Sequence, residues 1–251
     1  MNEETVLAAK RFNLIDAETI MDELCSQAAK DRWSYTRLLS EFLCTEQKLA
    51  DARSSDVMLK MAGFPYKKTL ADFDFNFQSS IREEIFTEFA EGGYIKVNQN
   101  IVLLGPPGTG KTHIAIALGI EAASRRMKVK FTTLNALVTN LKEAKLKNSY
   151  SQRLKVFVSP PLLIIDEVGF TPLSGEESAI LFDVISARYE KGSIILTSNK
   201  SYSEWAEIFS GDSVIATAVL DRLLHHSQSF SLKGQSYRMR EFKEQKGGNT
   251  K

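Results

Sequence analysis

Residues 101–120 read IVLLGPPGTGKTHIAIALGI, and the order of residue types in this stretch decides the fold. The apolar run 101–104 predicts a strand, GPPGTGKT at 105–112 has the spacing of a phosphate loop, and the apolar residues that follow suit a helix. Gly105, Gly108 and Gly110 let the loop curl until its backbone N–H groups point inward, while the new helix aims its positive end at the same place. Pro106, Pro107 and Thr109 fill the remaining loop positions, and His113 follows as a further nucleotide-binding candidate. Lys111 supplies a point charge for the β- and γ-phosphates of ATP, and the Thr112 hydroxyl is a ligand for Mg²⁺.

Downstream, LLIIDE at 162–167 predicts a buried strand ending in two carboxylates. Acidic residues at the carboxyl end of such a strand face the nucleotide crevice of an α/β sheet. Asp166 suits Mg²⁺ binding and Glu167 suits polarising the water that attacks the γ-phosphate. The next apolar run, SIILTSN at 193–199, ends at Asn199, placed to orient that water; an Asn at a strand end is also a common turn former. Five β-rich runs, at 100–104, 129–133, 162–165, 194–197 and 229–232, alternate with helical stretches. That alternation predicts an α/β domain built on a five-stranded parallel sheet with helices on both faces.

Upstream the pattern changes. Ile20 and Leu24, then Tyr35, Leu38, Leu39 and Phe42, recur at helical spacing, and Ser34 is placed to cap the second helix. Residues 1–63 are therefore expected to be a small all-helical module, 64–243 the ATPase domain and 244–251 a disordered tail. LADFDFNF at 70–77 reads as an extended segment laid on the second domain. No apolar run reaches the roughly 20 residues of a membrane span, and no secretory signal opens the chain, so a cytoplasmic protein without membrane contact is expected. Cys25 and Cys44 lack neighbours at metal-ligand spacing and read as reduced thiols.

The net charge of +1 conceals an asymmetry. Nine basic residues lie between Arg125 and Lys155 against one acidic residue, Glu143, whereas residues 1–63 hold eight basic and eleven acidic side chains. Lys142, Lys145, Lys147, Arg153 and Lys155 are the candidate contacts to duplex DNA, through counterion release at phosphates. A helix face formed by Leu134, Leu137, Val138 and Leu141 explains part of this run more simply, since Lys142, Lys145 and Lys147 would complement that helix's C-terminal dipole.

The order GPPGTGKT, LLIIDE, ILTSN and AVLDRLLHH resembles AAA+ ATPases of the bacterial initiator and helicase-loader group. GTGKTHIAIALG, IIDEVGFTPLS, ISARYE, TSNKSYSEW and GQSYRMR narrow the resemblance, over residues 61–240, to the IstB family of ATPases that accompany insertion-sequence transposases. The resemblance implies a homo-oligomer with ATP at subunit interfaces that forms on target duplex DNA and assists the transposase of the same element; a helicase loader is the alternative. It implies that Arg222 reaches the neighbouring subunit's nucleotide as an arginine finger, and that Arg238 senses the γ-phosphate within its own subunit. Too few residues follow Arg222 for the usual helical lid, so the lid is expected to be reduced or absent. Arg188 is a candidate interface contact or structural ion pair. His225 and His226, without a visible nucleophile or metal partner, read as packing or interface residues.

Overall fold

The central strands of the sheet send alternate side chains into two apolar layers, and this alternation organises the second part of the molecule. The computed structural model describes residues 3–237, 239 and 240. Strands β1 (Asn100–Leu104), β2 (Val129–Thr133), β3 (Leu162–Val168), β4 (Ser193–Ser198) and β5 (Ser227–Ser231) form one sheet in the order β2-β3-β4-β1-β5. Every pairing is parallel. Ile101, Leu103, Leu162, Ile164 and Ile195 point into one core, whereas Val102, Leu163, Ile165, Ile194 and Leu196 point into the other. The period of two along a strand makes both faces apolar, so both must be covered by helices.

On the first face lie α4 (Glu83–Ala90), α5 (Gly93–Lys96) and α6 (Lys111–Ser124). Phe86, Phe89 and Tyr94 supply edge-on aromatic contacts there, with Phe86–Phe89 centroids 6.0 Å apart and Phe89–Tyr94 centroids 5.5 Å apart. The second face carries α7 (Leu134–Leu146), α8 (Tyr150–Val158), α9 (Gly175–Arg188), α10 (Trp205–Ile208) and α11 (Ser213–Leu224). Thr133 caps α7, Ser174 closes a capping box on α9, and Asp212 accepts from two N–H groups at the start of α11. Among the described residues no helical domain follows β5.

Three helices open the chain: α1 (Glu3–Arg11), α2 (Ala17–Asp31) and α3 (Tyr35–Ala62). The apolar spacing predicts only the latter two; α1, with the sequence EETVLAAKR, is additional. Ala9, Ala17, Ile20 and Phe42 form a small core of their own. Ser34 does cap α3, accepting from the Arg37 N–H at 3.2 Å. Gly63 ends α3 at φ +78°, yet the packing divides at Val57 and Met58, inside the helix. Met58, Leu59 and Ala62, in the last turns of α3, belong to the first face's core. The 70–77 stretch departs from its expected extended form. Thr69 caps a 3₁₀ turn over Leu70–Asp72, where the Asp72 carboxylate accepts from the Thr69 N–H and hydroxyl, each at 2.8 Å.

Candidate functional site

The loop between β1 and α6 is shaped by glycines that no other residue could replace. Gly105 lies at φ +142° and a Cβ there would stand 2.1 Å from the Leu232 carbonyl oxygen. At Gly108, φ +81°, a Cβ would stand 2.1 Å from Ser236 Oγ. The segment after β5 thus closes directly over the loop, and Tyr237 N–H donates to the Gly108 carbonyl at 3.0 Å. Lys111 is buried, its ammonium donating to the carbonyls of Gly105 at 2.6 Å and Pro106 at 2.7 Å. Thr109 Oγ1 donates to Pro106 O at 2.8 Å, and Gln78 Nε2 donates to Thr109 O at 3.0 Å. Gln78, which the motif reading omits, braces the loop from a distant part of the chain.

Asp166 is the hub of the site. Its Oδ1 accepts from Thr112 Oγ1 at 2.9 Å and from Thr197 Oγ1 at 2.5 Å. Thr197 Oγ1 in turn accepts the Glu167 N–H at 3.0 Å. The register of β3 against β4 shifts between Ile165 and Val168, and Glu167 takes φ +64°, a conformation rare for a residue with a Cβ. This bulge turns Glu167 out of a strand that is otherwise buried. A side chain on the regular pleat would have entered the core. Asn199 Oδ1 is buried without a hydrogen-bond partner, and a Cβ on Gly169 would lie 3.1 Å from it. An unsatisfied buried acceptor just past the end of β4 can take a donor from outside the protein. Thr197 belongs to no nucleotide motif; its place in the SIILTSN run, on the strand beside Asp166, is its signal in the sequence.

A cavity of about 170 Å³ opens on the loop, lined by Tyr66, Lys68, Phe73, Lys111, Thr112, His113 and Tyr237 among others. His113 Nε2 is 2.7 Å from the Thr69 carbonyl, and its ring meets Phe73 edge-on at 5.2 Å. Burial pushes the His113 pKa down, and the Thr69 carbonyl opposes this. Phosphate-loop residues and an aromatic, partly apolar wall therefore share one hollow. Tyr237 belongs to the GQSYRMR stretch and Phe73 to LADFDFNF, while Tyr66 lies in no motif. Glu167 lines a neighbouring hollow instead, with Leu134, Asn135, Phe170 and Glu177.

The remaining candidates separate. Arg222 lies in the last turn of α11, donating to Ala218 O at 2.9 Å with its guanidinium over the Phe182 ring at 4.8 Å. Arg238 lies outside the described residues, as does the tail at 244–251. Arg188 is neither an interface residue nor half of an ion pair. It is 1% exposed and donates to five carbonyls, those of Phe157, Val158, Pro160, Pro161 and Ser193. Burial lowers its pKa to about 10. The ISARYE stretch resembles a surface helix end, and only the close passage of Gly192, whose Cβ would lie 2.7 Å from the guanidinium, allows this interior position. His225 and His226 are exposed rather than packed, and Glu190 stands beside both.

The basic residues differ in their surroundings. Lys142 pairs with Glu177 at 3.1 Å and Lys145 with Glu176 at 3.6 Å, both acids in the first turn of α9. The Ser174 N–H and then Lys142 hold the Glu177 carboxyl below its usual range. Lys155 is exposed on α8. Lys147 and Arg153 line a hollow of about 270 Å³ between α7 and α8, with Asn140 and Gln152. An adjoining hollow of about 370 Å³ adds Lys130, from the edge strand β2, to Arg153 and Asn140. Lys130, counted in the basic run but not chosen as a contact, thus joins Lys147 and Arg153.

Residues 7–245 match the family model described as IstB-like ATP binding protein. An ATP-binding protein assigned to the insertion sequence IS21 of Pseudomonas aeruginosa is 43% identical over 88% of this chain and 83% of its own length. One assigned to IS5376 of Geobacillus stearothermophilus is 46% identical over 87% and 86%. AMPPCP-bound DnaA from Aquifex aeolicus is similar in fold, with a TM-score of 0.57 and 23% identity over 74% of this chain and 56% of that one. The DnaC helicase loader superposes with a TM-score of 0.51 and 21% identity over 60% and 88%. These two likenesses concern the fold alone. No helix among the described residues is long and apolar enough to cross a membrane.

Proposed function

The chain belongs to the family of IstB-like ATP-binding proteins, and from that membership and its site we propose an ATPase that assembles on target duplex DNA and assists the transposase of its own element. One observation carries the hydrolytic part: Asp166 is hydrogen-bonded to Thr112 of the phosphate loop, while the bulge beside it turns Glu167 out of the sheet. A hydroxyl and a carboxylate 2.9 Å apart are hard oxygen donors of the kind Mg²⁺ takes. Mg²⁺ bound there would neutralise charge on the β- and γ-phosphates. Lys111 and the N–H groups of the glycine loop hold the phosphates, and Tyr66, Phe73 and His113 wall the nucleoside. Glu167 takes the proton of the attacking water and Asn199 Oδ1 fixes its orientation, yielding ADP and phosphate.

Arg222 acts on the nucleotide of a neighbouring copy. Its place at the end of α11 gives assembly a reason to depend on ATP, because the γ-phosphate would add a contact across the interface. The hollows lined by Lys130, Lys147 and Arg153 would follow the DNA backbone. Sedimentation of the full chain with ATP, with ADP and without nucleotide, in the presence of duplex or single-stranded DNA, tests this reading. Large assemblies with ATP and duplex DNA are expected. Assembly indifferent to nucleotide would overturn the proposal, and a preference for single strands would favour helicase loading instead.

A further inference from the structure

Away from the nucleotide site, Glu190, His225 and His226 are the one group among the described residues with the composition and closeness of a metal site. His225 ends α11, His226 leads into β5, and Glu190 follows α9. Nδ1 of His225 and Nε2 of His226 stand 3.9 and 3.6 Å from the same Glu190 oxygen. One ligand atom from each residue can be taken so that all lie within 4.8 Å of one another, which is closing distance for a shared ion. All three side chains are exposed, so an ion can reach them.

The backbone beneath these ligands is already fixed. Asn98 Nδ2 donates to the Glu190 carbonyl at 2.9 Å, and Glu190 is held at φ +58°. The Asn100 N–H donates to the His226 carbonyl at 2.7 Å, while Asn100 Nδ2 donates to that of Leu223 at 2.9 Å. Both ligand-bearing segments are thus tied to the same few residues at the start of β1. Little ordering remains to be done when an ion arrives, and such preorganisation is what turns three surface side chains into a site. The Tyr189 hydroxyl stands 2.9 Å from the same His225 Nδ1, so an ion taken by that nitrogen replaces this hydrogen bond.

We propose that Glu190, His225 and His226 bind one transition-metal dication of the zinc class, with solvent completing the coordination. Two imidazoles and one carboxylate suit Zn²⁺, whereas Mg²⁺ prefers an all-oxygen octahedron, so the Mg²⁺ of the nucleotide site does not compete. The ion clamps the end of α11, which carries Arg222 in its last turn, to the end of α9.

Co²⁺ serves as the probe, added to the full chain in a Cys25→Ser, Cys44→Ser background so that the exposed thiols cannot contribute. One saturable Co²⁺ per chain is expected, with visible absorption of low-coordinate cobalt, displaced by Zn²⁺ and not by excess Mg²⁺. Removing an outer partner of a metal ligand typically costs about 10–100-fold in affinity, so His226→Ala and Glu190→Gln should each weaken binding by at least that much. Lys191→Ala should leave it unchanged, and ATP binding by every variant verifies the fold. Absence of saturable binding, or equal affinity in wild type and His226→Ala, overturns the proposal.

Discussion

The roles proposed for Lys111 and Glu167 differ, and single substitutions should separate them. The Lys111 ammonium is buried inside the loop, so Lys111→Ala should abolish ATP binding in a fluorescent-nucleotide titration. Glu167→Gln keeps shape and the backbone bond to Thr197; it should retain binding while turnover falls by about 10²–10⁴-fold, the usual worth of a general base. Wild-type turnover in that variant would take Glu167 out of the reaction. His113 offers a test with a defined sign. Its folded pKa lies below the usual 6.5, so the stability it contributes is fully present above about pH 6.5 and lost as pH falls through the lowered value. His113→Gln retains a donor for Thr69 but cannot titrate. Melting temperature should therefore decline less steeply below pH 6.5 in the variant than in the wild type, and parallel profiles would exclude the histidine as the cause.

At the scale of elements, the strands and the phosphate loop were legible because their signals are local. A run such as LLIIDE has only one use in an α/β chain, and the loop carries its own spacing. Features made by distant segments meeting were not legible: the Thr197 link to Asp166, the Gln78 brace and the burial of Arg188 all join residues remote in sequence. Arg188 ties the end of α8 to the turns before β3 and β4. Arg188→Leu strands several carbonyls at about 1–3 kcal/mol for each one left unsatisfied, so a drop in melting temperature of many degrees is expected, with ATP affinity preserved at low temperature. The pairing of Lys142 and Lys145 with α9 acids has the same origin, since it depends on helix packing. Replacing Lys130, Lys147 and Arg153 by Ala should weaken duplex binding across all sequences and flatten the log K against log salt slope by about 0.9 per lost phosphate contact. Replacing Lys142 and Lys145 should change it less. A reversed ranking would move the DNA path to the outer face of α7.

For the whole molecule, the decisive question is whether one copy completes another's site. The described residues of a single chain bring Lys111, Thr112, Asp166, Glu167 and Asn199 to neighbouring positions around the loop and the ends of β3 and β4, but Arg222 sits over Phe182 on α9. Sequence order could name Arg222 by resemblance; it could not supply its geometry, which belongs to an assembly. If Arg222 serves a neighbour, Arg222→Ala should bind ATP normally as a free protomer, yet lose assembly and up to about 10³–10⁵ in rate, the range for other arginine fingers. Lys111→Ala protein is inactive for the opposite reason: it has an intact finger and an empty pocket. Mixed together, the two can form interfaces in which the pocket of the first variant meets the finger of the second. Turnover of the mixture should therefore exceed the sum of the separate activities and peak at comparable amounts of the two. Adding Glu167→Gln to the Arg222→Ala partner should abolish the rescue, because the only pocket facing an intact finger would then lack its base. Purely additive activity at every ratio would place Arg222 within its own subunit's structure and remove it from the shared site.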